Sequence, residues 1–219
     1  MPDALVIFDL DGTLADSFPW FRTVVNDVAR VFDFRPLADD EVEPLRHAGP
    51  REILRRLDVP FWKLPAIARH MRALKRGQVE TIPLFAGVPA MLQALRASGL
   101  TLALVSSDSE DNARRQLGEN AALFKHWACG ASLFGKAAKF KAVMRRAGAM
   151  PARTIAIGDE GRDIEAARAA GIACGAVTWG YAARGALLAF APDLVFEAMD
   201  DIARKVGEKF GPGERELCG

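Results

Sequence analysis

Short uninterrupted apolar runs alternate along the chain with longer stretches of helical pattern. The apolar runs are rich in β-branched residues and occupy residues 4–8, 100–105, 154–157 and 172–177, with a weaker run at 194–196. Runs of this kind are typical of central parallel strands covered on both faces. The intervening patterns predict helices at residues 88–97, 110–117, 139–147 and 164–170. This alternation predicts an α/β fold with a doubly wound, Rossmann-like parallel sheet.

Residues 17–81 interrupt the alternation, because they show helical patterns broken by prolines and no strong strand signal. They contain 12 basic and 9 acidic residues, whereas the rest of the chain contains 17 and 19. We therefore predict an α-helical cap at 17–81, inserted into a core formed by residues 1–16 and 82–219. The polar, glycine-rich residues 207–219 are expected to fray.

Composition and charge argue against several classes of protein. The 219 residues are 50% hydrophobic and 26% charged, as in ordinary globular proteins, and the net charge of +1 argues against a nucleic-acid binder. The three scattered cysteines form neither a disulfide framework nor a zinc site and suit a reducing compartment. The first residues lack the basic region of a signal peptide, and no stretch approaches the ~20 apolar residues of a membrane helix. We expect a cytoplasmic monomer or homodimer without nucleic-acid or membrane partners.

Two carboxylates follow the first predicted strand. Asp9 and Asp11 are separated by one residue, so on an extended chain both project from the same side of the strand end. In open α/β sheets this edge is where ligands bind. Close carboxylates repel one another, and a hard divalent cation, typically Mg²⁺, relieves the repulsion. A turn with aspartate caps is the structural alternative.

Further candidates follow later strands at the same edge. Asp159 comes directly after an apolar strand and offers a third acidic oxygen to a Mg²⁺ site, whereas helix capping explains Asp163 equally well. Ser106 and Ser107 follow the second strand, where hydroxyl and N–H groups hold phosphate; capping of the next helix by Ser107 or Asp108 is the alternative. A phosphate beside three carboxylates also needs a cation, and Lys136 and Lys139 are the candidates, at the start of the following helix.

These motifs resemble those of the haloacid dehalogenase superfamily in its phosphatase branch, and are most similar to phosphoglycolate-phosphatase-like hydrolases. Residues 7–17 (IFDLDGTLADS) resemble the first motif, and Ser106 and Lys136 match the second and third. Gly158-Asp159 with Asp163 matches the fourth. Ser107 stands where relatives often have Asn, and the third motif lacks its frequent proline, so Lys139 remains a rival to Lys136.

The resemblance implies an aspartyl-phosphate mechanism. Asp9 would attack phosphorus, and Asp11 would protonate the leaving oxygen and then activate water. Mg²⁺ would be held by Asp9, the backbone carbonyl of Asp11 and Asp159. Lys136 would neutralise charge on Asp9 and on the phosphoryl group.

The remaining motif residues have supporting roles in this expectation. Ser106 would bond a phosphoryl oxygen and Asp163 would orient Lys136 or a metal-bound water. Gly12 and Thr13 would shape the turn after the first strand and leave a backbone N–H for the phosphate. In the cap, Arg51 belongs to an arginine-rich string that would either meet an anionic leaving group or form a solvated face.

The sequence therefore predicts a Mg²⁺-dependent phosphomonoester hydrolase of a small phosphorylated metabolite. The alternatives are a sugar-phosphate mutase of the same superfamily and a non-catalytic binding protein on the same fold. A phosphonate hydrolase would need a cap lysine to form a Schiff base, and neither Lys63 nor Lys75 lies in a recognisable context for that role.

Overall fold

The sheet is the centre of the molecule. The computed structural model describes residues 4–130 and 135–210, and within them six strands form one parallel sheet in the order β3-β2-β1-β4-β5-β6. The strands are β1 (Leu5–Phe8), β2 (Thr101–Val105), β3 (Phe124–Ala128), β4 (Thr154–Gly158), β5 (Ala173–Val177) and β6 (Leu194–Phe196). The carboxyl ends of β1, β2 and β4 lie side by side, since β1 pairs with both neighbours.

Helices cover both faces of the sheet. They are α5 (Val88–Ala97), α6 (Glu110–Leu117), α7 (Lys136–Ala147), α8 (Gly161–Ala170), α9 (Arg184–Ala189) and α10 (Met199–Phe210), numbered after the four helices of the inserted segment. Val6 and Phe8 of β1 join the apolar cluster that includes α5 and α10. Leu5 and Ile7 face the opposite way and join the cluster that includes α7 and α8. The continuous apolar run of β1 thus reflects burial on both faces, and the predicted doubly wound fold is confirmed.

The regular structure of the inserted segment, residues 17–81, is helical, with irregular connections such as residues 34–38. It contains α1 (Phe18–Phe32), α2 (Val42–Arg46), α3 (Pro50–Arg56) and α4 (Leu64–Gln78). The chain leaves and re-enters the core through adjacent backbone: Asp16 N–H donates to Pro83 O at 2.9 Å, and Phe85 N–H donates to Leu14 O at 2.9 Å. The division into core and cap at 17–81 stays a prediction, because these bonds describe a connection and not a domain boundary.

Several elements differ from the sequence-based expectation. The strand β3 was not predicted, because Lys125 and His126 interrupt its apolar run at the edge of the sheet. The helices α9 and α10 were not predicted either, and α10 continues to Phe210, so residues 207–210 are helical where fraying was expected. Residues 211–219 lie outside the described residues. No helix in the described part of the chain is long and apolar enough to cross a membrane.

Candidate active site

Asp9 lies at the end of β1 and is almost completely buried. Its N–H donates to Ile157 O of β4 at 3.0 Å, which continues the strand pairing past Phe8. Its Oδ1 accepts the Leu10 N–H at 2.9 Å, and its Oδ2 lies 2.7 Å from the ammonium of Lys136. Burial raises the pKa of Asp9 from 3.8 to about 6, although the charge of Lys136 acts in the opposite direction.

Lys136 is the first residue of α7 and pairs with two carboxylates. Its ammonium contacts Asp9 and also Oδ1 of Asp163, whose Oδ2 accepts the Glu160 N–H at 3.1 Å. Burial alone would lower the pKa of Lys136, but Asp163 and Asp9 outweigh it and raise that pKa. Lys139, the rival at this position, instead donates to Cys129 O at 2.5 Å. The structure therefore brings Lys136, and not Lys139, to Asp9.

Asp159 follows β4 directly and is fully buried. Its Oδ1 accepts the hydroxyl of Thr13 at 3.0 Å and its Oδ2 accepts the Tyr181 N–H at 2.8 Å. Burial raises the pKa of Asp159 well above its ordinary value, with further contributions from Glu160, Asp163 and Asp9. Tyr181, in the loop after β5, was not identified from the sequence, because its contact uses only a backbone N–H and leaves no motif.

Three buried carboxylates can hold a metal ion. Asp9, Asp159 and Asp163 each offer an oxygen, and these oxygens lie within 4.8 Å of one another. Burial is the largest cause of the raised pKa values of Asp9 and Asp159, and the charge of Asp163 raises both further. Carboxylate oxygens are the donors that hard divalent cations prefer, so the residues fit such an ion. Two of the three belong to the expected ligand set; Asp163, expected in a supporting role, is the third.

Glycines allow the backbone to close around Asp159. Gly12 has φ +76°, and a Cβ built there would lie 2.1 Å from Oδ2 of Asp159. Gly180 approaches the same side chain, where a Cβ would lie 2.3 Å from the Asp159 Cβ. Sequence reasoning did not identify Gly180, since a lone glycine in a loop carries no signal of what approaches it.

Two backbone N–H groups of the first turn have acceptors within the turn. Gly12 N–H donates to Ala15 O at 2.9 Å and Thr13 N–H donates to Leu10 O at 3.2 Å. That a backbone N–H of this turn binds phosphate stays a prediction. The Thr13 side chain orients Asp159.

The loop after β2 places Ser106 at the same edge. Ser106 is buried, and its Oγ accepts the Asp108 N–H at 3.0 Å, which leaves its hydroxyl proton for another acceptor. The alternative that Ser107 or Asp108 caps α6 is wrong: Ser109 is the cap residue, and its Oγ accepts the Asn112 N–H at 3.1 Å. The carbonyl of Ser107 lies 3.4 Å from an Arg72 nitrogen of α4.

Asp11 is paired with a lysine from the inserted segment. Lys75 of α4 has a side chain only 4% exposed, and its ammonium lies 2.5 Å from Oδ1 of Asp11 and 2.9 Å from Oδ2 of Asp108. Burial alone would lower the pKa of Lys75, but Asp11 and Asp108 outweigh it and raise that pKa. The sequence analysis considered Lys75 only as a Schiff-base lysine and did not predict its contacts with Asp11 and Asp108. Its spacing from Arg72 puts both on one face of α4, but only the tertiary structure shows that this face meets the core.

One arginine of the arginine-rich string in the inserted segment contacts the core. Arg51 is exposed near the start of α3, and the described contacts do not join it to the carboxylates. Arg46, at the end of α2, donates to Gly180 O at 3.1 Å and to Tyr181 O at 3.0 Å. Lys75 and Arg46 thus hold the inserted helices on three loops at the carboxyl edge of the sheet, those after β1, β2 and β5.

Comparison with known proteins assigns most of the chain to one family. The model of the haloacid dehalogenase-like hydrolases matches residues 6–177. The phosphoglycolate phosphatase of Synechococcus elongatus is 32% identical over 203 residues, which cover 92% of this chain and 96% of that protein.

Solved structures share the fold at low sequence identity. A predicted phosphatase from Clostridium acetobutylicum has a TM-score of 0.80 at 19% identity, covering 95% of this chain and all of that one. A Thermotoga maritima protein assigned as a beta-phosphoglucomutase has a TM-score of 0.66 at 22% identity, covering 94% of this chain and 99% of that one.

Proposed function

Since the chain belongs to the haloacid dehalogenase-like hydrolase family, in its phosphatase branch, we propose that it is a Mg²⁺-dependent phosphomonoesterase. The proposed substrate is a small, phosphoglycolate-like metabolite, and the proposed intermediate is an aspartyl-phosphate on Asp9. The observation that carries the proposal is the contact of Asp9 with Lys136 at 2.7 Å, beside the buried carboxylates of Asp159 and Asp163. A carboxylate becomes a nucleophile towards phosphate when cations offset the repulsion between them.

In the first step, a carboxylate oxygen of Asp9 forms a bond to phosphorus while the bond from phosphorus to the leaving oxygen breaks. Asp11 donates its proton to that oxygen, so the alcohol leaves neutral. Lys136 offsets the negative charge of Asp9 and of the phosphoryl oxygens, and the hydroxyl of Ser106 donates to one of those oxygens. Preorganised donors of this kind stabilise charge that develops in the transition state.

In the second step, Asp11, now a carboxylate, takes a proton from a water molecule. The water oxygen bonds to phosphorus, and the bond to Asp9 breaks. Inorganic phosphate leaves and Asp9 is restored as a carboxylate. Asp11 therefore transfers one proton in each direction, which requires its side chain to face the reacting oxygen in both steps.

Asp9, Asp159 and the backbone carbonyl of Asp11 would hold Mg²⁺, with Asp163 beside them, and the ion would supply Lewis-acid charge to the phosphoryl oxygens. The donor set supports this assignment because it is made of oxygens and is buried. Thr13 and Tyr181 hold both oxygens of Asp159, so its orientation does not depend on the ion.

The choice of a small substrate is supported by the inserted helices and by the relatives. Lys75 and Arg46 hold these helices against the loops that carry the reactive groups, which restricts the space left for a leaving group. The Synechococcus elongatus relative that matches nearly the full chain is a phosphoglycolate phosphatase. A cytoplasmic location and a monomer or homodimer complete the proposal; the free thiols of Cys129 and Cys174 support the location.

The test is phosphate release from phosphoglycolate and from a panel of phosphorylated metabolites, measured with Mg²⁺ and with EDTA. We expect release that requires Mg²⁺ and is absent from the Asp9→Asn variant. Release by Asp9→Asn at the wild-type rate would overturn the proposal, and absence of release from every substrate would favour the non-catalytic alternative.

A sugar-phosphate mutase is the second candidate, favoured by the structural likeness to the Thermotoga maritima protein. A mutase returns the phosphoryl group to a sugar hydroxyl, whereas a hydrolase gives it to water. Incubation with a hexose 1-phosphate separates them, since a mutase yields the isomeric sugar phosphate without phosphate release. A phosphonate hydrolase is disfavoured, because Schiff-base formation needs a neutral amine and the carboxylates around Lys75 raise its pKa.

A further inference from the structure

Arg162 is a second cation beside the buried carboxylates. It lies in the first turn of α8, one residue before Asp163 and three residues after Asp159. Burial alone would lower the pKa of Arg162, but Glu160, Asp163 and Asp9 outweigh it and raise that pKa. The charge of Arg162 therefore acts on Asp9, the proposed nucleophile, as well as on its neighbours in the sequence.

The guanidinium of Arg162 is paired with a carboxylate but retains an unused donor. Its Nη2 contacts Oε2 of Glu160, whereas its Nε is buried and has no hydrogen-bond acceptor among the described residues. The side chain of Arg162 is 26% exposed, compared with 12% for Lys136, so more of it is open to a ligand. A guanidinium carries five N–H donors in a rigid fork, which suits the oxygens of a phosphoryl group.

Glu160 holds Arg162 from a fixed position at the start of α8. The Glu160 N–H donates to Oδ2 of Asp163 at 3.1 Å, and the Glu160 carbonyl accepts the Asp163 N–H at 2.9 Å. The other carboxylate oxygen of Asp163 pairs with Lys136. One turn of backbone therefore positions both cations at the carboxylate cluster.

A purely structural ion pair does not account for this arrangement. Partly exposed ion pairs contribute little to stability, and a buried donor without an acceptor is unfavourable. An oxyanion bound at the cluster would supply acceptors for the guanidinium. A phosphoryl group that approaches Asp9 is such an oxyanion, and its charge is opposite to that of Arg162.

We propose that Arg162 is a substrate-binding residue that donates to the phosphoryl oxygens, with Glu160 as the positioning residue that holds its guanidinium. This rests on the proposed function, which places the phosphoryl group beside Asp9. The class of ligand is a tetrahedral oxyanion, and the leaving group takes no part in the contact. Inorganic phosphate belongs to the same class and serves as the probe.

The experiment measures phosphate binding and Mg²⁺ binding separately, by isothermal titration calorimetry. Arg162→Met should weaken binding of inorganic phosphate to the Mg²⁺-loaded enzyme roughly 10-fold or more, as loss of a hydrogen bond to a charged group does. The same variant should bind Mg²⁺ alone several-fold more tightly, because a positive charge near the ion is removed. These opposite signs are specific, since displacement of the carboxylates would weaken the binding of both ions.

Arg168, on the same helix, is the matched control. It donates to the carbonyl oxygens of Phe190 and Ala191 at 2.8 Å and 3.3 Å, and the described contacts do not join it to the carboxylate cluster. Arg168→Met should leave both dissociation constants at their wild-type values. Arg162→Lys, which keeps the charge but not the fork, should retain more phosphate affinity than Arg162→Met.

Steady-state kinetics separates recognition of the phosphoryl group from recognition of the leaving group. Arg162→Met should lower kcat/KM by the same factor for phosphoglycolate and for a nitrophenyl phosphate, since both present the same phosphoryl oxygens. A larger loss for phosphoglycolate would assign Arg162 to the substrate carboxylate and overturn the proposal.

Unchanged phosphate affinity in Arg162→Met, or weaker binding of both phosphate and Mg²⁺, would also overturn the role of Arg162 and leave the proposed function intact. Failure of the proposed function is seen separately, as the absence of phosphate release by the wild-type enzyme. If Arg162→Met does not fold, Arg162→Gln, which keeps a donor for Glu160, replaces it in every measurement with the same expected signs.

Discussion

The ammonium of Lys136 lies 2.7 Å from Oδ2 of Asp9, and the same ammonium contacts Asp163. Lys139, one turn further along α7, donates to the carbonyl of Cys129 and so faces another part of the core. Two lysines on one helix thus have distinct surroundings, and only one of them lies at the carboxylate cluster.

Lys136→Met should lower kcat by about 10²–10³-fold, as loss of a preorganised charge at a transition state does. Lys139→Met is the matched control and should keep kcat within about threefold of wild type. Steady-state kinetics with saturating Mg²⁺ measures both. A larger loss from Lys139→Met than from Lys136→Met would reverse the assignment.

Asp9→Asn should change the pH dependence of stability when Mg²⁺ is removed with EDTA. The pKa of Asp9 is raised from 3.8 to about 6 in the folded protein, so the folded state favours its protonated form. The stability that Asp9 contributes is therefore fully present below pH 3.8 and is lost as the pH rises through about 6. Asp163, whose pKa is lowered by Lys136 and Arg162 against the effect of burial, contributes in the opposite direction.

Thermal unfolding at several pH values checks this expectation. The Tm of Asp9→Asn minus the Tm of wild type should be more positive above pH 6 than below pH 3.8, because the amide carries no charge to bury. Mg²⁺ should raise the Tm of wild type more than that of the variant. A difference in Tm that is constant with pH would show that Asp9 does not titrate in this window.

Gly180→Ala should weaken Mg²⁺ binding and destabilise the fold. The added methyl group would meet Asp159 Cβ at 2.3 Å and Gly12 O at 2.5 Å, so the loop after β5 must move. Overpacking of this kind costs about 1–3 kcal/mol. Gly185→Ala is the control, because nothing lies within 4 Å of the position of its Cβ.

Urea unfolding and Mg²⁺ titration of activity measure the two effects for both variants. We expect a lower unfolding midpoint and a higher Mg²⁺ requirement for Gly180→Ala, with Gly185→Ala close to wild type. Equal behaviour of the two variants would mean that the loop does not constrain Asp159.

The sequence predicted the elements whose residues are buried on both faces and the chemistry that follows them. Apolar runs marked β1, β2 and β4, and acidic or hydroxyl residues directly after these strands led to Asp9, Asp159 and Ser106. The local pattern did not reveal the edge strand β3, because the exposed Lys125 and the half-buried His126 interrupt its apolar run.

Residues whose role depends on a distant contact were also missed. Lys75 is one of four basic residues on α4, and nothing in their spacing shows which one meets Asp11. Tyr181 contributes a backbone N–H to Asp159, a function that any residue except proline can perform. Such contacts arise from the packing of separate elements and leave no trace in the local sequence.

Asp11→Asn and Asp159→Asn should both reduce turnover but respond differently to Mg²⁺. Asp11 is proposed to contact the ion through its backbone carbonyl, which the substitution keeps, so kcat should fall about 10²–10⁴-fold at an unchanged Mg²⁺ requirement. Asp159 is proposed to bind the ion with its side chain, and an amide oxygen binds a hard cation less well. Asp159→Asn should need more Mg²⁺, and excess metal should restore part of its rate. A large shift in Mg²⁺ requirement for Asp11→Asn with none for Asp159→Asn would contradict this division of roles.

Detection of the phosphorylated enzyme tests the nucleophilic role of Asp9 most directly. Asp11→Asn, mixed with Mg²⁺ and a nitrophenyl phosphate, whose leaving group departs without a proton, and quenched in acid, should carry one phosphoryl group on the peptide that contains Asp9, because loss of the base slows its hydrolysis. The Asp9→Asn variant treated in the same way should carry none. Phosphate release by Asp11→Asn without any phosphoryl group on Asp9, or a phosphoryl group on another residue, would show that Asp9 is not the nucleophile.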